Sequence, residues 1–161
     1  MINKKIKGFT MVELLVVIAI IAVLAALLVP AIINYVGSSK LSTANANAKL
    51  VYGAAAAFCA ECEKAGQTLT ESESVEKVSI QWDDSNVPSY TVSRSSEQLV
   101  NAIKKSVGMD TVKSGYVSVR IDAAGVPSKS AWAQTVDTIY VGTYPEEATA
   151  ARESTDGNWI Q

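Results

Sequence analysis

Hydrophobic and polar positions follow three different rhythms along the 161-residue chain. From Phe9 to Ile33 the only charged residue is Glu13, and the apolar run from Leu14 to Ile33 has the length, about 20 residues, that a helix needs to cross a bilayer. Lys4, Lys5 and Lys7 stand just ahead of it and hold the amino terminus in the cytoplasm. After Pro30 the pattern changes. Leu41, Ala44, Ala48, Val51, Ala55, Phe58 and Cys62 recur in alternating steps of three and four, which draws one apolar stripe along a helix. Lys40, Ser42, Asn45, Asn47, Lys49 and Glu63 fall largely off that stripe. Alanine dominates it and flanking charges are sparse, so the stripe is expected to pack on a sheet rather than in a coiled coil. Gly37-Ser38-Ser39 and Gly53 are soft points, and Gly66 is a suitable stop. Read as one helix, Phe9 to Ala65 is 57 residues, about 85 Å long.

The third rhythm is that of strands. Residues 67–74, QTLTESES, read as a polar connecting loop with an exposed surface. Val78, Ile80 and Trp82 then share one face against Lys77, Ser79 and Gln81. Asp83-Asp84-Ser85-Asn86 and Pro88 predict a turn, with a short return strand over Tyr90 to Ser93. Ser95-Ser96-Glu97-Gln98 opens a short helix whose apolar face is Leu99, Val100, Ile103 and Val107, ending at Gly108. Val117, Val119 and Ile121 alternate with Tyr116, Ser118 and Arg120; Asp122 to Gly125 supplies a turn, and Val136 to Tyr144 predicts a further strand. The fold class expected is α+β: a long amino-terminal helix, half transmembrane and half amphipathic, against a small antiparallel sheet of three or four strands. The polar tail from Pro145 reads as a loose terminus, although Trp159 and Ile160 near its end suggest that it folds back and docks.

Composition narrows the chemistry. The net charge is −2, and loss of the three leading lysines would take the remaining side chains to −5, so no attraction to nucleic acid is expected. The chain contains no histidine, which removes Ser-His-Asp and Cys-His catalysis and the commonest transition-metal ligand. Hydroxyl side chains are plentiful, but no base accompanies them. No enzyme, cofactor or metal centre is expected.

Glu13 is the anomaly. A carboxylate inside a membrane segment costs roughly 2.5 to 3.5 kcal/mol even on a lenient scale, so it marks a function or a partner. A signal peptide ending near Val23-Leu24-Ala25 and a plain anchor helix remain open on hydrophobicity alone, but neither gives the acid a use.

The stretch KKIKG followed by FTMVELLVVIAII resembles the amino terminus of type IV pilins and pseudopilins: a short basic leader ending in Gly, then Phe, then Glu four residues on. The resemblance is close over about residues 1–36 and general beyond them. It implies a leader over residues 1–8, a transmembrane and assembly helix over 9–36, and a head over 37–161 that includes the amphipathic half of the helix. It also implies cleavage between Gly8 and Phe9 by a prepilin peptidase, N-methylation of Phe9, and an assembly and register role for Glu13, whose carboxylate would meet the Phe9 amine of a neighbour. Pro30 corresponds to the family's helix-kinking proline. Many members carry Gly where Ala22 stands, and many close a carboxy-terminal loop with a disulfide for which this chain has no cysteines. The function implied is that of a structural subunit of a surface filament serving adhesion or twitching motility, with other pilins, an assembly platform protein, its ATPase and the membrane as partners. The chain would be a single-pass cytoplasmic-membrane protein before assembly and part of an extracellular pilus after it. The alternatives are a pseudopilin of a type II secretion or competence DNA-uptake system, and a membrane-anchored glycan-binding module.

Three further groups attract attention. Cys59 and Cys62 form one CxxC, too little for a zinc site; a disulfide closing this very small loop and a pair of thiols on a helix face are both open readings. Asp83 and Asp84 offer clustered oxygens to calcium, but at no known loop spacing. Trp82, Trp132 and Trp159 with the tyrosines form either core or a stacking platform for sugars, and Trp132, in a loop-like stretch, is the one expected to be exposed.

Overall fold

Helix α1 (Met11–Lys64) accounts for 54 residues in the computed structural model, which describes residues 8–81, 92–107, 114–155 and 157–160. The basic leader before Gly8, the Trp82 to Thr91 stretch with Asp83, Asp84 and most of the expected return strand, and the stop at Gly108 lie outside those residues. Contacts divide the chain into two units, Met1–Val36 and Gly37–Gln161.

In the first unit every residue from 8 to 36 is exposed, and its apolar window is long and apolar enough to cross a membrane by length and composition, with none of it buried. Pro30 lies inside α1, and the helix continues through it and through Gly37, Ser38, Ser39 and Gly53.

The second unit is built on the rest of α1. All seven stripe residues are buried, from Leu41 to Cys62. A glycine at positive φ ends the helix: Gly66 (φ 72°) lets its own N–H reach the Glu63 carbonyl at 3.0 Å and that of Gln67 reach the Cys62 carbonyl at 2.8 Å, satisfying two end carbonyls. The following stretch is more ordered than its polarity suggests. Leu69 is fully buried, and Glu71–Glu73 form a short 3-10 turn before β1 (Val75–Gln81). Helix α2 (Ser96–Val107) starts on Ser95, whose Oγ accepts from the Gln98 N–H at 3.2 Å, and buries all four residues of its expected apolar face.

The sheet is antiparallel throughout, in the order β1, β2 (Ser114–Ile121), β3 (Pro127–Ala133) and β4 (Gly142–Tyr144). Two expectations are corrected here. Residues 127–133 form a strand rather than loop, and of Val136 to Tyr144 only the last three residues are strand. Residues 135–140 bond locally and to the tail instead, with the Thr138 N–H on the Thr135 carbonyl at 3.3 Å, the Tyr140 N–H on Thr138 Oγ1 at 3.2 Å and the Ile139 carbonyl accepting the Arg152 N–H at 2.8 Å.

One sheet face meets the helices. Ile80, Val117, Val119, Ile121 and Trp132 join the α1 stripe and α2 in one core. Alanine in the stripe lets the backbones come close: Ser130 Oγ donates to the Ala48 carbonyl at 2.8 Å, and a Cβ on Gly142 would overlap the Ala44 carbonyl group and the Asn45 nitrogen. Asn45 and Asn47, expected off the stripe, are buried as a result.

The other sheet face is closed by the tail. Trp159 and Ile160 pack with Ala131, Ala133 and Val141 in a second cluster, so the tail docks rather than hanging loose. A bulge in β1 between Val75 and Val78 sets up this clasp. It places Lys77 at φ 49°, with its N–H on the buried Ser118 Oγ at 2.9 Å and its Nζ 5.6 Å from the Trp159 ring, while Glu76 Oε1 accepts the Trp159 N–H at 3.0 Å. Arg120 completes it by donating to the Ile160 carbonyl. No covalent link is used.

Candidate functional site

The chemistry singled out by the sequence lies at the start of α1. Gly8 and Phe9 precede the helix and are exposed, Phe9 by 83%. Thr10 and Glu13 bind each other reciprocally: Glu13 Oε2 accepts the Thr10 N–H at 2.8 Å and the Thr10 hydroxyl at 2.7 Å, while Thr10 Oγ1 accepts the Glu13 N–H at 3.2 Å. This is a capping box, and it satisfies donors that a helix start otherwise leaves open. The acid also sits at the positive end of the helix dipole. The carboxylate therefore has a partner within its own chain, in addition to any that a neighbour offers. Sequence reasoning missed Thr10, although the pattern Thr-x-x-Glu was in view at residues 10–13.

Cys59 and Cys62 are buried and unbridged on the inner face of α1. Burial, then the neighbouring Cys62 and the more distant Asp122, push the Cys59 thiol up to about 11 against a hydrogen bond with its own backbone. Burial and the charge of Glu61 push Cys62 up as well. A reactive thiol needs the opposite environment, one that favours thiolate.

The exposed aromatic platform is not present among the described residues. Trp132 is 7% exposed within β3 and Trp159 is 4% exposed under the tail; Trp82 lies outside the described residues. Asp83 and Asp84 lie outside them too, and among the described residues no group of three or more His, Cys, Asp or Glu side chains is placed to hold a metal.

An ionic contact that the sequence did not signal joins the 3-10 turn to the segment before α2. Arg94 Nε donates to Glu73 Oε1 at 3.1 Å, and Arg94 Nη2 donates to Thr70 Oγ1 at 3.0 Å. Burial works against the Glu73 charge, but hydrogen bonds from the Thr70 hydroxyl and N–H, Arg94 and Ser72 outweigh it and hold the carboxyl down at about 2.

Against known proteins, a family described as the prokaryotic N-terminal methylation motif matches residues 3–29. The chain is 40% identical over 62 residues to the type IV major pilin protein PilA of Myxococcus xanthus, a stretch that covers 38% of this chain and 28% of the relative. It is 40% identical over 74 residues to the type IV major alpha-pilin of Moraxella bovis, covering 46% of this chain and 45% of the relative. The matched stretches thus span less than half the length of these curated relatives. No solved structure matches the chain. The chain is thus similar to type IV major pilins over part of its length and matches the methylation motif at its amino terminus.

Proposed function

We propose that this chain is a structural subunit of a type IV pilus. The observation that carries the reading is the exposed apolar segment of α1, interrupted by one carboxylate that is bonded to Thr10 at the helix start. Before assembly that segment, residues 9–36, anchors the subunit in the cytoplasmic membrane. There a prepilin peptidase cuts between Gly8 and Phe9 and methylates Phe9; a platform protein and its ATPase then deliver the subunit to the filament.

The geometry supports a specific role for Glu13. Its carboxylate accepts two bonds from Thr10 and retains lone pairs for a third donor. The amine of a neighbour's Phe9, free after cleavage, is a cation of the right sign to add to that set. In a site with little water a charge pair gains weight, and an unpaired charge is penalised, so the subunit register that pairs them is favoured over those that do not. Pro30 removes one backbone donor from α1 and is the point where the helix opens or bends during packing. The likeness to two major pilins favours a surface pilus over a pseudopilin fibre.

The test is the intact mass of the protein in filaments sheared from cells. The expected species lacks Met1 to Gly8 and carries one added methyl group. An uncleaved chain, or one cut near Ala25, overturns the proposal.

A further inference from the structure

A cavity of about 330 Å³ opens in the second unit between the first turns of its part of α1 and the locally bonded segment after β3. Its volume is at the lower end of the range of small-ligand sites. Among the described residues it differs from the two cores in its lining. Seven of the eight side chains around it are polar or carry a polar tip, and none is acidic. α1 contributes Ser39, Lys40 and Thr43; the segment after β3 contributes Thr135, Thr138 and Tyr140.

Three properties define what fits. The first is charge. Lys40 Nζ lies 5.5 Å from the Tyr140 ring centroid, an arrangement that holds the ammonium over the aromatic face. With no carboxylate in the lining, this cation is available to an anion, in a chain whose overall charge is negative. The second is a high density of hydroxyls, each with one donor and two acceptor sites. Two are oriented by local bonds, Thr43 Oγ1 donating to the Ser39 carbonyl at 3.0 Å and Thr138 Oγ1 accepting from the Tyr140 N–H at 3.2 Å; both keep capacity for a ligand. The third is an aromatic wall, the half-buried ring of Tyr140, which suits a flat C–H face.

One cation, several hydroxyls and an aromatic wall match a sugar that carries a carboxylate. A phosphate dianion is held best by several cationic donors or by the forked geometry of arginine, and Lys40 is the one cation in the lining, a charge that a single carboxylate balances. We propose that this cavity binds a uronic acid residue of a polysaccharide, with its carboxylate on Lys40 and its hydroxyls on the threonine and tyrosine hydroxyls. The inference does not depend on the filament reading. It also differs from a stacking platform on an exposed Trp132, which the burial of that residue rules out.

The test is a tryptophan-fluorescence titration of the full-length chain in detergent micelles with sodium D-glucuronate, methyl glucoside and inorganic phosphate. The expected result is a saturable response to glucuronate with a midpoint on the order of millimolar, as suits a monosaccharide making few contacts, and a response to methyl glucoside at least about tenfold weaker. Lys40→Gln, an exposed position whose change leaves both cores intact, should raise the glucuronate midpoint about tenfold and leave methyl glucoside unaffected. Thr135→Val should weaken both sugars. A linear response, equal binding of phosphate and glucuronate, or a glucuronate midpoint unchanged by Lys40→Gln would each overturn the proposal.

Discussion

The side-chain amide of Asn45 holds both backbone groups of Ala148: Nδ2 donates to the carbonyl at 2.9 Å, and Oδ1 accepts the N–H at 3.2 Å. The same Oδ1 accepts the Thr143 N–H at 3.1 Å. One residue of α1 therefore fixes β4 and the loop after it. Asn45→Ala leaves three backbone groups without these bonds, and each buried orphan costs about 1–3 kcal/mol, reduced where water can reach it. We expect a loss of about 2–4 kcal/mol, read as a lower urea midpoint with an unchanged slope. A loss below about 0.5 kcal/mol would mean that water replaces the amide.

Trp159 holds the tail without a covalent link. Its removal in Trp159→Ala takes away the largest side chain of the outer cluster and leaves Lys77 without its ring. The cost expected is about 3 kcal/mol, at the low end for large aromatic truncations because the tail can relax. Limited proteolysis should show cleavage within residues 145–160 well before the remainder of the head. Uniform digestion at the wild-type rate would show that the polar contacts from Asn45, Glu76 and Arg120 suffice to hold the tail.

Glu73 gives the fold an acid-side dependence. Its carboxyl sits at about 2 when folded against an ordinary 4.5, so the unfolded chain takes up the proton first. The stabilisation is fully present above pH 4.5 and is lost as pH falls toward 2. Arg94 is substantially exposed, which screens its share. Glu73→Gln should flatten the stability-versus-pH curve over that window; a slope identical to wild type would assign the acid sensitivity elsewhere.

Cys59 acts at the opposite end of the pH scale. With its thiol raised from 9.0 to about 11, the folded chain holds this proton more tightly than the unfolded one. That contribution is complete below pH 9 and disappears as pH rises through 11. Native protein at pH 7.5 should therefore resist thiol alkylation until it is unfolded, then take up two equivalents. Rapid labelling of the native chain would contradict the buried placement, and no labelling after unfolding would reveal a disulfide.

Glu13→Ala removes the carboxylate while leaving Gly8 and Phe9 unchanged. Processing should persist, and the amount of sheared filament should fall at least about tenfold, because removing one partner of a charge pair in a water-poor site leaves the other uncompensated. Normal filament yield would remove Glu13 from register control. Thr10→Ala is a useful companion, because it keeps the charge but deletes the hydroxyl bond at 2.7 Å.

Local rules carried much of the fold. The steps of three and four from Leu41 to Cys62 predict burial because a regular helix places those residues on one side whatever they pack against. Gly66 and Ser95 cap helices through bonds a few residues long, and Thr10 with Glu13 is legible on the same terms. Strand β3 was not legible. Its sequence PSKSAWA lacks apolar alternation because both faces are buried and one must lie close to α1, where Ser130 reaches the Ala48 carbonyl. The burial of Asn45 escaped for a related reason: a polar side chain is recognisable as interior only once its distant partners at 143 and 148 are known.

By itself, then, the sequence determined the exposed apolar helix with its lone acid, the buried stripe and the α+β class, since each follows from periodicity and caps within a few residues. Only the tertiary structure decided that Trp132 is interior, which sheet face the docking tail covers, and that Lys40 and Tyr140 share a cavity. Those outcomes depend on contacts between segments about a hundred residues apart in the cavity and about eighty apart at the tail, and no local pattern encodes such pairings.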